Sequence, residues 1–246
     1  MSRTPRIYCP DLPAAGSDVT LGESASRHLL KVLRLGPGAE LRVFDGRGRE
    51  HAARLTGGSV KAAAVEVHEA CEPASESPLR IRLLQGVGRG ERKDLVIQKA
   101  TELGVAAIVP VLSARSVVRL SGERAARRRD HWRSVAIGAC EQCGRATLPA
   151  ILDPCGLGEA LAGLPADGPR LLPDPAAEAG LAGLPAPGPA LTLLIGPEGG
   201  LDDGEVRAAG DAGFQPVRLG PRVLRTETAA IAAVALVQSL WGDLAG

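Results

Sequence analysis

The sequence predicts an α/β protein in two parts: a small strand-rich β-barrel, then a mostly parallel sheet covered by helices on both faces. Three observations carry this. Residues 1–70 hold stretches that alternate apolar and polar side chains with the period of a half-buried strand. A polar break, "CEPASESP" over 71–78, has two prolines and no periodicity. Beyond it strand text and helix text take turns, and repeated βα units imply parallel pairing. The expected boundaries are 1–72 for the first domain, 73–78 for the linker and 79–246 for the second domain.

In the first domain "SASRHLLKVLRLGPG" reads as a short amphipathic helix. Leu29, Leu30 and Leu33 share one side, Arg27, Lys31 and Arg34 lie elsewhere, and Gly36-Pro37-Gly38 ends it. "AELRVFDGRGREHAARL" alternates on either side of Asp45-Gly46, a hairpin dipeptide, and "VKAAAVEVHEA" adds a strand. After the break come strand "LRIRLLQGV", helix "RKDLVIQKATELGV", strand "AIVPVLS" and the long basic helix "SGERAARRRDHWRSVAIGACEQCG". Strand "PAILD", helix "GLGEALAGL" and strand "RLLPDP" lead into an Ala/Gly/Pro-rich surface excursion over 176–190. Strand "ALTLLIG", helix "DDGEVRAAGDAG" and strand "PVRLG" precede a final helix. That helix, "TETAAIAAVALVQSLWG", is apolar nearly all round, which suits a deep core or, preferred here, a dimer interface.

Composition narrows the class. Phe44, Phe214, Tyr8, Trp132 and Trp241 are the only aromatic residues, so Leu, Val, Ile and Ala must build the core. The longest apolar run, Ala229 to Val237, falls far short of the roughly 20 residues that span a bilayer. Met1 to Pro10 lacks a secretory pattern, so a cytoplasmic protein with no membrane partner and reduced thiols is expected. Cys140-Glu-Gln-Cys143 has metal or redox spacing, but no second Cys or His pair accompanies it, so no metal is expected. Charge is segregated: Arg80 to Arg133 holds thirteen basic against five acidic residues, Asp153 to Asp211 two against ten. The basic half suits a polyanion such as nucleic acid. A solvated surface or an acid–base contact between subunits is the alternative.

Two turns at strand ends attract attention, because ligands of open parallel sheets sit beyond the carboxyl ends of the strands. One is Gly196-Pro197-Glu198-Gly199-Gly200, the other runs from Leu219 to Thr228. Glycines let a ligand approach the main chain, and Pro197 and Pro221 stiffen the turns. The pattern is neither a dinucleotide fingerprint nor a P-loop, and Glu198 would repel a polyphosphate. A neutral adenine joined to a cationic group fits better. The plainer alternative is two tight connections, with Thr226 or Thr228 capping the last helix.

"LLIGPEGGL" together with "LGPRVLRTETAAIAA" closely resembles the small-subunit ribosomal RNA uridine N3-methyltransferases, members of the SPOUT class of knotted methyltransferases. The likeness extends through "RHLLKVLRLGPG", "VFDGRG", "RKDLVIQKATELGV", "IVPVLSARSV" and "AIGACEQCGR". It implies a trefoil-knotted α/β domain behind a PUA-like barrel, a homodimer, and S-adenosylmethionine as cofactor. The cofactor would lie bent against Leu172 and Pro173, against Ile195, Gly196, Pro197, Glu198, Gly199 and Gly200, and against Leu219, Gly220, Val223, Leu224, Arg225, Thr226, Thr228 and Ala229. Small-subunit RNA, naked or in the assembled subunit, would be the partner.

Methylation of a uracil ring nitrogen needs an in-line approach and an acceptor for the imide proton. Glu198 and Glu227 are the candidate acceptors, with Glu141 of "CEQCGR" as a third, and Arg225 would orient the base or its developing charge. Arg225–Glu227 and Arg222–Glu198 could instead be ion pairs that brace the loops. Arg27, His28, Lys31, Arg34, Arg89, Arg92, Lys93 and Arg222 are the RNA-binding candidates, and Arg127-Arg128-Arg129 could extend that footprint. Methylation of another RNA target or atom, such as a ribose 2′-OH, and a non-enzymatic assembly factor with a vestigial pocket stay open as alternatives.

Overall fold

The computed structural model describes residues 4–74, 76–88, 92–116 and 122–244, with Arg92 known by its backbone alone. The chain forms two compact units, one of residues 1–76 with 137–148, the other of 77–136 with 149–246.

The first unit is a five-stranded sheet in the order β1 (Arg6–Tyr8), β3 (Glu40–Phe44), β4 (Glu50–Ser59), β5 (Ala62–Cys71), β2 (Asp18–Thr20). Strands β3 and β4 pair antiparallel, Phe44 opposite Glu50, around the expected Asp45-Gly46 turn. Asp45 organises this turn: its carboxylate accepts from the Arg47 and Arg49 backbone N–H groups at 2.7 and 3.1 Å and from Arg49 Nε at 2.7 Å. Burial pushes its pKa up, but these donors outweigh burial and hold it below the ordinary value. Ile7, Leu29, Leu41, Val43, Leu55, Val65 and Val67 fill the interior.

The expected amphipathic helix takes a different course. Helix α1 spans Glu23–Arg27, and His28–Val32 continues as a wider π turn in which Leu33 N–H donates to His28 O at 2.9 Å. Leu29 is fully buried, yet Leu33, which the helix reading puts on the same side, is 37% exposed.

The segment 137–148, read from sequence as part of the second domain, packs into the first unit. Phe44, Cys140 and Ala146 are buried together. Arg6 makes a two-pronged pair with Glu50, Nη2–Oε2 2.6 Å and Nε–Oε1 3.1 Å, and also donates to the backbone oxygens of Cys140 and Arg145. Those oxygens satisfy a buried guanidinium that β1 and β4 alone leave short of acceptors. Glu141 is occupied here too, accepting from the Tyr8 backbone N–H at 3.1 Å. Burial raises its pKa.

The second unit holds a seven-stranded parallel sheet in the order β12 (Phe214–Val217), β10 (Arg170–Pro173), β11 (Ala190–Ile195), β6 (Arg80–Gly86), β7 (Ala107–Leu112), β8 (Ala150–Ile151), with β9 (Cys155–Gly156) also on β7. Side chains alternate between two cores. Ile81, Leu83, Leu191 and Leu193 meet residues of α2 (Arg92–Glu102), α3 (Gly122–Cys143) and α6 (Thr226–Trp241). Leu84, Val109, Val111 and Leu194 meet α4 (Leu157–Ala162) and α5 (Asp203–Asp211). The excursion over 176–190 is pinned rather than free: Leu181 enters the first of these cores, and Arg218 N–H donates to Ala179 O at 2.8 Å. No helix among the described residues is long and apolar enough to cross a membrane.

Candidate active site

Strand β11 is buried along its whole length and ends at Ile195. The chain then turns, with Gly200 N–H donating to Pro197 O at 2.9 Å, and Gly200 takes a φ of 69° that a side chain would resist. The turn lies hard against the end of β6, where a Cβ placed on Gly86 would stand 2.4 Å from the Pro197 nitrogen. Gly88 makes a second notch: a Cβ there would stand 2.1 Å from Glu198 Oε2. On the other side Arg115 Nη1 donates to Gly199 O at 3.0 Å. Asp202 and Glu205 form a capping box that starts α5, and Glu205 also accepts from the Ala114 N–H at 2.7 Å.

The second turn follows β12 and ends at α6. Thr226 Oγ1 donates to Gly196 O at 2.5 Å and accepts from Gln85 Nε2 at 3.2 Å, so one hydroxyl ties α6, the first turn and β6 together. It does not cap the helix. Arg225 holds the N-cap position, with no side-chain capping bond.

Between these turns lies a cavity of about 630 Å³. Leu172 and Pro173 from β10 line it, as do Ile195, Gly196, Pro197, Glu198 and Gly200 from the first turn. Val223, Leu224, Arg225, Thr226 and Ala229 line it from the second. Leu219, Gly220 and Arg222 line a smaller adjoining space of about 80 Å³. Gly199 and Thr228 line neither, and the Gly199 carbonyl is taken by Arg115. Sequence reasoning missed Asp174, Pro175, Leu201 and Val206 in the lining. Nothing near them had motif character, although Asp174 and Pro175 directly follow a strand end.

The polar candidates divide. Glu198 and Arg225 are exposed at the cavity, whereas Glu227 is half-buried and lines a separate small space with Gln85, Lys93 and Glu198. Glu141 lies in the first unit on the Tyr8 backbone, so it is no part of this cavity. Lys93, expected on an RNA-binding surface, is only 6% exposed. It shares the inward stripe of α2 with Val96, Ile97 and Ala100, the helical spacing that faces a core. Its Nζ stands 4.5 Å from the Trp132 ring centroid and donates to Gln85 O at 3.4 Å. Burial drives its pKa well down, opposed by the charge of Glu198.

In the first unit Arg27, Lys31 and Arg34 are exposed and His28 is half-buried, with Arg27 paired to Glu23 at 2.8 Å. Arg127 and Arg129 form surface ion pairs with Glu123 and Asp153. Arg89 and the Arg92 side chain lie outside the described residues. The hydrogen bond with Cys140 holds the Cys143 thiol below the ordinary pKa, but no group of three or more metal-ligating side chains occurs among the described residues.

The cavity lies beyond the carboxyl ends of strands in a parallel sheet, where open α/β sheets hold their ligands. The RNA methyltransferase domain family matches residues 75–238, and the RNA methyltransferase PUA domain family matches residues 21–67. The chain belongs to the family of the ribosomal RNA small subunit methyltransferases E. The protein of that name from Buchnera aphidicola subsp. Schizaphis graminum is 30% identical over 242 residues, covering 98% of each chain. A ribosomal RNA small subunit methyltransferase E from Neisseria gonorrhoeae, solved bound to S-adenosyl methionine, superposes with a TM-score of 0.93 at 44% identity, covering 98% of this chain and 99% of that one. A putative methyltransferase from Legionella pneumophila, solved in complex with the same cofactor, gives 0.95 at 39% identity, covering 99% and 100%.

Proposed function

We propose that this protein transfers the methyl group of S-adenosylmethionine to N3 of a uridine in small-subunit ribosomal RNA. The observation that carries this reading is the cavity at the ends of β10 and β11, walled by the two glycine-rich turns, in a family whose solved relatives hold that cofactor. The residues fit the group. About 630 Å³ is an ordinary size for a small-molecule pocket, its walls are largely apolar or main chain, and Glu198 supplies one negative charge. When bound, the cofactor supplies a methyl group made electrophilic by its sulfonium.

The chain's own residues do the rest. The turn main chains hold the nucleoside with fixed hydrogen-bonding edges. The Arg225 guanidinium faces negative charge that develops on the uracil oxygens. Glu198, exposed at the cavity, accepts the N3 proton, a role for which half-buried Glu227 is less well placed. The target must be unpaired or extruded, since N3 lies on the Watson–Crick edge. Arg27, His28, Lys31 and Arg34 on the first unit, and Arg222 on the second, bind the RNA backbone, whether of naked RNA or of the assembled subunit. The knotted path of the SPOUT class and a cytoplasmic location belong to the same reading. Mass mapping of ribosomal RNA from a deletion strain should reveal one missing uridine methyl group; an unaltered methylation map would end this assignment.

The dimer is part of the proposal. On α6, Leu236 and Leu240 are 40% and 44% exposed and stand one turn apart on a single face. A double Leu236→Glu/Leu240→Glu variant is expected to run as a monomer in light scattering while the unsubstituted chain runs as a dimer. A monomeric unsubstituted chain would contradict it.

A further inference from the structure

Lys93 is a costly residue to bury, and no surface role explains it. A lysine withdrawn from water loses several kcal/mol of hydration unless its surroundings replace it. Here the Trp132 ring face lies 4.5 Å from Nζ, and the Gln85 carbonyl accepts at 3.4 Å. Those are weak substitutes for water. The remaining compensation comes from a carboxylate. Lys93, Gln85, Gly88, Thr226, Glu198 and Glu227 line one space of only about 10 Å³, and across it the Glu198 charge acts on the amine without a direct ion pair. Gln85 Oε1 is fully buried and has no hydrogen-bond partner among the described residues.

Glu198 belongs to two spaces. It lines the large cavity on one side and the Lys93 enclosure on the other, seated over Gly88 where no side chain intrudes. One carboxylate therefore stands between a buried amine and the place proposed for a sulfonium.

We propose that Lys93 is the proton-holding partner of the cofactor wall: its amine and a bound sulfonium share the Glu198 carboxylate from opposite sides, so only one of them carries its positive charge. This rests on the cofactor reading above. Binding of the sulfonium makes Lys93 shed a proton. In the transfer step the uracil N3 forms its bond to the methyl carbon, and the carbon–sulfur electron pair returns to sulfur. Glu198 takes the N3 proton and passes it to the neutral Lys93 amine. One positive charge disappears at sulfur and one appears at Lys93, so the charge passes from one side of Glu198 to the other and the total is unchanged. Lys93 reaches neither RNA nor cofactor, and it acts through Glu198.

The burial-lowered pKa of Lys93 and the opposing effect of Glu198 are in the required directions. Among the described residues the titratable groups that line this space with the amine are Glu198 on the turn and Glu227 on α6. Gln85 is the polar group contributed by β6 and Trp132 that contributed by α3, and neither titrates. On α2 itself the adjacent Asp94 is engaged by His131 of α3 at 2.6 Å.

Calorimetry in buffers of different ionisation enthalpy counts the protons released when S-adenosylmethionine or its neutral product, S-adenosylhomocysteine, binds. At pH values where the amine of the unliganded protein is protonated, found by repeating the titration across a pH series, the sulfonium form is expected to release up to about one proton more than the thioether. Lys93→Met should abolish the difference, as should Glu198→Gln, which removes the shared carboxylate. Equal proton counts for the two ligands on the unsubstituted protein overturn the inference, and that comparison needs no variant to fold. A difference that persists in Lys93→Met assigns the proton elsewhere and overturns it too. Failure of the unsubstituted protein to bind either ligand is a separate result, which overturns the cofactor reading and this inference with it.

Discussion

Methyl transfer by an Arg225→Ala protein is expected to fall by about two to three orders of magnitude, the usual effect of removing one donor aimed at developing negative charge. The backbone of Arg225 is fixed at the start of α6, with its carbonyl accepting from the Ala229 N–H at 2.8 Å, while its side chain is exposed at the cavity. Truncation therefore removes a charge without disturbing a helix. Single-turnover rates and cofactor affinity should be measured together. A rate drop with cofactor affinity held within about threefold places the guanidinium at the reacting base, by the logic that separates transition-state from ground-state contacts. A large loss of cofactor affinity with an unchanged rate at saturation would make Arg225 a wall of the nucleoside site instead. Arg225→Lys should recover only part of the rate, because a point charge cannot reproduce the planar fork.

The second large effect is expected from a single added methyl group that carries no charge. Gly86→Ala would place a carbon 2.4 Å from the Pro197 nitrogen and 2.7 Å from the Gly196 carbonyl carbon. Both neighbours are backbone, so no side-chain rotation can relieve the clash and the turn itself must move. A displacement of about 1 Å at a positioning element can cost about a hundredfold in rate, and S-adenosylmethionine affinity should drop alongside. The same substitution at Gly138 on α3, where a Cβ would meet nothing within 4 Å, is the control and should bind normally. Normal binding by Gly86→Ala would show that the turn has slack, and the rigid-wall account would fail.

Much of this architecture could be read from the chain. The Asp45-Gly46 turn stood out because alternation on both sides fixed the register, and β3 and β4 pair around it. The alternation of strands and helices after residue 79 gave the parallel sheet, since its strands are buried on both faces and read as continuous apolar runs. The two turns stood out through glycine and proline following such runs, and they meet around one cavity. Other features left no local signal. Lys93 sits at an inward position of α2, but a lysine letter suggests a surface until the Trp132 face and the Gln85 carbonyl are seen. The Arg115 contact with Gly199 joins residues 84 apart, and nothing in either stretch announces the other. The π turn after α1 falls in residues whose spacing reads as an ordinary amphipathic helix, so nothing in them marks it.

The helix text from 122 to 143 runs without a break, yet its last turns belong to the first unit. The chain thus passes from one unit to the other at three places, after residues 76, 136 and 148. A gene fragment cut at the polar break would keep every strand of the N-terminal sheet but lose the carbonyls that Arg6 binds at Cys140 and Arg145. The severed piece would lose two acceptors of the Arg6 guanidinium and the Cys140 and Ala146 side chains that cover Phe44, so the N-terminal module is not a detachable cassette.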